Sequence, residues 1–222
     1  MTAIRARLVL PGILLAALAG ALPARAGEAP TLKVGDPAPR LSVSKWLNGE
    51  PVKQLEKGTV YIIECWATWC GPCRASIPHV SELQAKYKEK KVVVIGLNVW
   101  ERDLAAVEPF VKKMGDKMAY RVAIDEVDKP GEAGKSARDW LVAAGQEGIP
   151  CAFVVDKQSR IAWIGHPMDG MDEVVEAVVA GTYDPKAAAG KRAAAAGLQE
   201  KIQKAFQAKD WDALFPLLDE AA

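Results

Sequence analysis

Cys70 and Cys73 bracket Gly71 and Pro72 in the stretch ECWATWCGPC, residues 64–73, which also holds Glu64, a third cysteine at 65 and tryptophans at 66 and 69. The run YIIECW before Cys70 reads as a strand, and CRASIPHVSELQAKY after it reads as a helix. A cysteine in the first turn of a helix meets unpaired backbone N–H groups and the positive end of the helix dipole. Both favour a thiolate over a thiol, so Cys70 is expected to titrate below the ~8.5 of a free cysteine. A second cysteine three residues on lies one turn deeper and can reach the first. Cys70 can then attack a partner disulfide, and Cys73 can resolve the mixed intermediate. Gly71 permits the close turn, and Pro72 suits a first helical turn, where its missing N–H is not needed.

The surrounding elements alternate. YIIECW (61–66) and KVVVIGLNVW (91–100) are continuous apolar, β-branched runs, as expected for central strands covered on both faces. Between them Ile77, Val80, Leu83 and Tyr87 recur at helical spacing. Leu104, Val107, Phe110, Val111 and Met114 make a second helical stripe, which Pro109 is expected to kink or restart. AYRVAID (119–125) reads as a short strand and SARDWLVAAG (136–145) as a helix stopped at Gly145. CAFVVD (151–156) and RIAWIGH (160–166) flank a polar turn and predict an antiparallel hairpin. Asp169 and Asp172 open a last helix that Gly181 ends. This order predicts an α/β fold, a mixed central sheet with helices on both faces. Beyond it, DPKAAAGKRAAAAG reads as a frayed helix or linker. LQEKIQKAFQ and DWDALFPLLDEAA read as a short antiparallel helical pair.

Compartment bears on any cysteine chemistry. Arg5 and Arg7, an apolar run from Leu8 to Leu22 and Ala24-Arg25-Ala26 before Gly27 form the three-part pattern of a secretory signal peptide. Pro11, Gly12 and Gly20 interrupt that run, which falls short of the ~20 residues of a membrane span, so a cleaved leader is expected, with an uncleaved membrane anchor as the alternative. The expected organisation is a signal peptide over 1–26, a redox domain over 27–183 and a helical extension over 184–222. The mature chain is expected to be periplasmic or secreted, without a membrane span. A formal net charge of +1 offers no basic excess for nucleic acid or anionic lipid. Four unevenly spaced cysteines are too few for a disulfide-stapled scaffold.

WATWCGPC, with Pro78 five residues after Cys73 and Gly148-Ile149-Pro150 ahead of a strand, resembles the thioredoxin superfamily. The longer stretch VGDPAPRLSVSKWLNGEPVKQLEKGTVYIIECWATWCGPC is similar to its extracytoplasmic redoxin-type members, the TlpA- and ResA-like thiol–disulfide oxidoreductases. The likeness spans roughly residues 34–180 and implies a thioredoxin-like fold, with a hairpin in the lead-in before the redox strand. It implies that Pro150 is a cis-proline facing the disulfide and that Glu64 is a buried acid relaying protons to and from Cys73. It also implies that Trp69, Gly71, Pro72, Ile149 and Pro150 border the bound substrate. Two positions depart from the pattern: Cys65 stands where an aromatic residue is common, and Cys151 where threonine is common.

Blander readings apply to several of these residues. No second Cys-x-x-Cys or histidine pair follows to complete a zinc site, so no metal and no cofactor is expected. Trp66 and Trp69 read as core aromatics, and His79 and His166 as non-catalytic. Cys65 and Cys151 read as small buried thiols rather than a second redox pair. The expected enzyme is a protein-disulfide reductase, because Gly-Pro between the cysteines resembles reducing thioredoxins. Its expected partners are protein disulfides and an electron-donating thiol relay protein, commonly membrane-bound. Two other classes stay open: a peroxiredoxin-like thiol peroxidase, whose usual Pro-x-x-x-Thr/Ser-x-x-Cys pattern is absent here, and a copper- or partner-binding module of the same fold.

Overall fold

The computed structural model describes residues 30–129 and 132–221. The expected signal peptide lies outside the described residues. Six strands, β1 (Val43–Asn48), β2 (Val60–Trp66), β3 (Val92–Asn98), β4 (Arg121–Asp125), β5 (Cys151–Val155) and β6 (Ile161–Gly165), form one sheet in the order β1-β4-β3-β2-β5-β6. β2–β3 and β3–β4 are parallel; β1–β4, β2–β5 and β5–β6 are antiparallel. β2 is buried at every position, which is why its sequence runs apolar rather than alternating.

The side chains of β2 divide between two cores. Val60, Ile62 and Trp66 face one layer with Val92 and Val94 of β3. Helices α1 (Gly71–Lys86), α2 (Leu104–Met114) and α4 (Met171–Ala180) cover that layer through Cys73 and Ile77, Val107 and Val111, and Met171 and Val175. Tyr61, Ile63 and Cys65 face the other layer. There α3 (Lys135–Ala137) and the wide turn Arg138–Val142 that continues it supply Ala137, Trp140 and Leu141, and the lead-in supplies Leu32. Helices therefore lie on both faces, as expected.

Four local expectations need correction. The lead-in holds no hairpin: β1 is a single strand that crosses to the far edge and pairs with β4. Pro109 does not restart α2, which runs from Leu104 through it to Met114 under an Asp103 cap. Pro109, in the middle of that helix, removes one ladder hydrogen bond, a loss offset by the burial of Val107 and Val111 on either side of it. Gly170, not an aspartate, occupies the position before α4, while Gly181 ends that helix at φ 77°. The alanine-rich stretch is no linker: Pro185–Ala208 is one continuous helix, α5, capped by Asp184. Lys209, at φ 55°, turns the chain into α6 (Trp211–Glu220), which packs back on α5. Phe206 meets Trp211 edge-on at 6.1 Å. No helix among the described residues is long and apolar enough to cross a membrane.

Candidate active site

Strand β2 delivers the redox segment to the carboxyl end of the sheet, and the chain enters α1 immediately. Cys70 is the residue before the first helical turn, in extended conformation, and its Sγ accepts the Cys73 N–H at 3.1 Å. Pro72 lies in that first turn, where no N–H is required. Cys70 and Cys73 form a disulfide, with Cα atoms 5.3 Å apart. Cys73 is fully buried and Cys70 nearly so, whereas Gly71 and Pro72 are exposed. The segment from β5 closes the other side: the Ile149–Pro150 bond is cis, and the Ile149 carbonyl oxygen stands 3.6 Å from Cys70 Sγ. Sequence-distant Cys70, Cys73, Ile149 and Pro150 thus meet at one edge.

Trp69 is not a core aromatic: it borders this edge with 40% of its surface exposed. Its indole N–H donates to the Trp100 carbonyl at 3.0 Å, and the Arg102 guanidinium lies over its ring at 4.3 Å. Beneath it, Glu101 accepts from the Thr68 N–H at 2.8 Å, the Thr68 hydroxyl at 2.9 Å, the Asn98 amide at 3.0 Å and the Arg102 N–H at 2.9 Å. Burial pushes the Glu101 carboxyl up, but these hydrogen bonds outweigh it and hold the group below the usual carboxylate range. The loop after β3 therefore clamps the turn that presents Cys70. Sequence reading missed this clamp. Its signal was the charged break Glu101-Arg102-Asp103 directly after a central apolar strand, the end of the sheet where α/β folds place their sites.

Replacing Glu101 with Ala should lower stability by about 2 kcal/mol, the scale of hydrogen bonds to a charged, partly exposed acceptor. Because the folded value is depressed, the contribution is complete above the ordinary carboxylate range. It fades as pH falls through the lower folded value. Urea unfolding at pH 7 and pH 3 checks both points: the gap between parent and variant should narrow at the lower pH.

Glu64 lies on the Cys73 side of β2 with no exposed surface. Burial pushes its pKa to about 8, and neither carboxyl oxygen finds a hydrogen-bond partner among the described residues. Trp66, on the same face, stacks at 5.4 Å on Phe110 and is a core aromatic. His79 joins α1 to α4 by a 2.9 Å contact with Asp172.

Cys65 and Cys151 face each other across the antiparallel β2–β5 ladder, behind the active edge. Both are buried free thiols. Burial, with the neighbouring Cys151, pushes Cys65 well up, and burial pushes Cys151 to about 12. Such thiols are poor nucleophiles. The unreduced protein, alkylated after denaturation, should carry two labels, at Cys65 and Cys151. A crosslinked peptide joining them would instead mean a second disulfide under the first.

A family model described as Redoxin matches residues 33–179. The chain is 26% identical over 211 residues to protein FixW of Rhizobium leguminosarum, covering 86% of this chain and 91% of that one. It is 35% identical over 131 residues to the thiol-disulfide oxidoreductase ResA of Bacillus thuringiensis subsp. konkukian, covering 59% of this chain and 68% of the relative. Among solved structures, a putative thiol:disulfide interchange protein DsbE from Chlorobium tepidum superposes with a TM-score of 0.53 at 25% identity, covering 67% of this chain and 99% of its own. A thiol-disulfide isomerase from Corynebacterium glutamicum gives 0.54 at 22% identity, with coverages of 67% and 96%.

Proposed function

Because this chain belongs to the Redoxin family, with a thioredoxin-like fold and the Cys70–Cys73 pair of a thiol–disulfide oxidoreductase, we propose that it reduces protein disulfides outside the cytoplasm. In this reading Cys70 is the nucleophile and Cys73 the resolving thiol. The Cys70 thiolate attacks one sulfur of a client disulfide, forming a mixed disulfide and expelling a client thiolate. Cys73 then attacks Cys70 Sγ, forming the Cys70–Cys73 disulfide and releasing the second client thiol. The client gains two electrons and two protons, and the enzyme's dithiol becomes a disulfide. A second dithiol protein, the electron-donating relay, restores the reduced form.

What carries this reading is the placement of Cys70 at the mouth of α1. There its sulfur accepts the Cys73 N–H and meets the positive end of the helix. Negative charge on Cys70 is favoured there, which makes it both the better attacking group and the better leaving group. Ionised Glu64 takes the proton of the Cys73 thiol as that thiol attacks. Neutral Glu64 returns the proton when the relay cleaves the Cys70–Cys73 disulfide and Cys73 departs as thiolate. Trp69, Gly71, Pro72, Ile149 and Pro150 form the bordering surface on which the client backbone rests.

Export is proposed from the leader pattern over residues 1–26. Residues 27–183 are taken as the redox domain, with 184–222 as an appendage that the family match does not reach. Insulin reduction by the dithiothreitol-charged protein tests the function, run beside hydrogen peroxide consumption. Turnover of insulin without peroxide consumption supports a disulfide reductase. Peroxide turnover without insulin reduction would replace it with a peroxidase.

A further inference from the structure

Position 96 lies opposite Glu64 in the parallel β2–β3 ladder and carries no side chain. Its place on the Cys73 side of the sheet is taken by two rings. A Cβ built on Gly96 would lie 2.6 Å from Tyr120 Cε2 and 3.2 Å from Trp66 Nε1, so both side chains close over this one residue. Trp66 is two residues beyond Glu64 on the same strand and face. Tyr120 comes from the segment entering β4, whose Val122 flanks Gly96 on its other side.

The polar atoms here share one property. The Trp66 indole N–H, the Tyr120 hydroxyl and both Glu64 oxygens are buried and find no hydrogen-bond partner among the described residues. Glu64 acts electrostatically on Tyr120, so the groups lie within each other's field. A buried donor and a buried acceptor left apart each lose their interaction with water, and in native cores such groups are satisfied by one another or through ordered water. The indole nitrogen only donates and a carboxylate only accepts, so the pairing has one sense.

We propose that Trp66 and Tyr120 are positioning residues for Glu64. When Glu64 ionises, their N–H and O–H turn to its carboxylate beside Gly96, and so govern how readily Glu64 takes and returns the Cys73 proton. Glycine at 96 is then a functional requirement, since a methyl there displaces the Tyr120 ring. The other titratable groups facing Glu64 are Cys73 of α1 and, through the sheet, Cys65 of β2 and Cys151 of β5. Only burial acts to move Glu64 itself, so the two donors are its means of carrying charge.

The functional consequence rests on the Glu64 relay proposed above, but the test does not. Selective 13C labelling of glutamate lets the Glu64 carboxyl be titrated by NMR in the intact oxidised protein. The Tyr120→Phe and Trp66→Phe variants should each move its midpoint upward by about one pH unit, the effect of losing a hydrogen bond to a charged acceptor. Gly96→Ala should move it the same way without removing either donor. Tyr87→Phe is the control, because its ring is also buried but belongs to the far end of α1. If the midpoint stays put in Tyr120→Phe and in Gly96→Ala, or moves equally in Tyr87→Phe, the proposal is overturned. The pH profile of mixed-disulfide resolution separates the two readings. A carboxyl midpoint that moves while the resolution profile does not supports the donors and removes Glu64 from the relay.

Discussion

Replacing Cys70 with Ser should abolish insulin reduction, a loss on the order of a thousandfold or more, as expected when an obligatory nucleophile is removed. Cys73→Ser should fail differently. Its Cys70 thiolate still attacks, but nothing resolves the product, so mixed disulfides accumulate and are recovered by mass spectrometry on Cys70. The asymmetry follows from position: Cys70 caps the helix at the surface edge, beside the Ile149 carbonyl, while Cys73 is sealed inside against the Glu64 face of the sheet. Alkylation of the reduced parent should label Cys70 first. Faster labelling of Cys73, or trapping by Cys70→Ser instead, would reverse the two roles.

The second large effect is on stability. Burial, with neither oxygen hydrogen-bonded, pushes the Glu64 carboxyl up to about 8 in the folded protein, against 4.5 for an ordinary glutamate. The folded state therefore holds a proton that the unfolded state has released, and stability falls as pH rises between those values. The stabilisation is complete below pH 4.5, is lost on the way to about 8 and changes no further above it. The displacement corresponds to at most about 5 kcal/mol. Glu64→Gln removes this titration, so the variant should gain on the parent steadily across that interval. Urea unfolding of the oxidised proteins at pH 5, 6.5, 8 and 9 measures it. A constant difference between parent and variant would mean that Glu64 is ionised in the fold throughout. The same variant should slow resolution of the mixed disulfide while leaving the first attack by Cys70 nearly unchanged.

Much of this site is visible in the chain's order. The unbroken apolar runs around Ile62–Ile63 and Val92–Ile95 could only be buried strands, and Cys70-Gly71-Pro72-Cys73 carries a helix start in its own chemistry. The hairpin of β5 and β6 follows from two β-branched runs across a polar turn. What stayed hidden depends on contacts between distant residues. Glu101 reads as a loop charge until the fold brings Thr68 and Asn98 to it. Gly96 reads as a weak point in a strand until Trp66 and Tyr120 are seen to close over it. Pro109 misled because a proline that breaks a helix and one that burial of its neighbours carries through look alike in sequence. The alanine-rich stretch misled because its two glycines suggest breaks, whereas nine alanines and the Asp184 cap hold Pro185–Ala208 helical.

Whether the Cys70–Cys73 pair works as a reductant is read from its reduction potential. The protein would be equilibrated in glutathione or dithiothreitol buffers of known ratio and the dithiol fraction read by alkylation. The Gly-Pro pair between the cysteines, with the proton return proposed for Glu64, predicts a potential near thioredoxin's, about −270 mV. A value near about −120 mV, that of a strong oxidant, would mean that the pair takes electrons from its clients and would contradict the account.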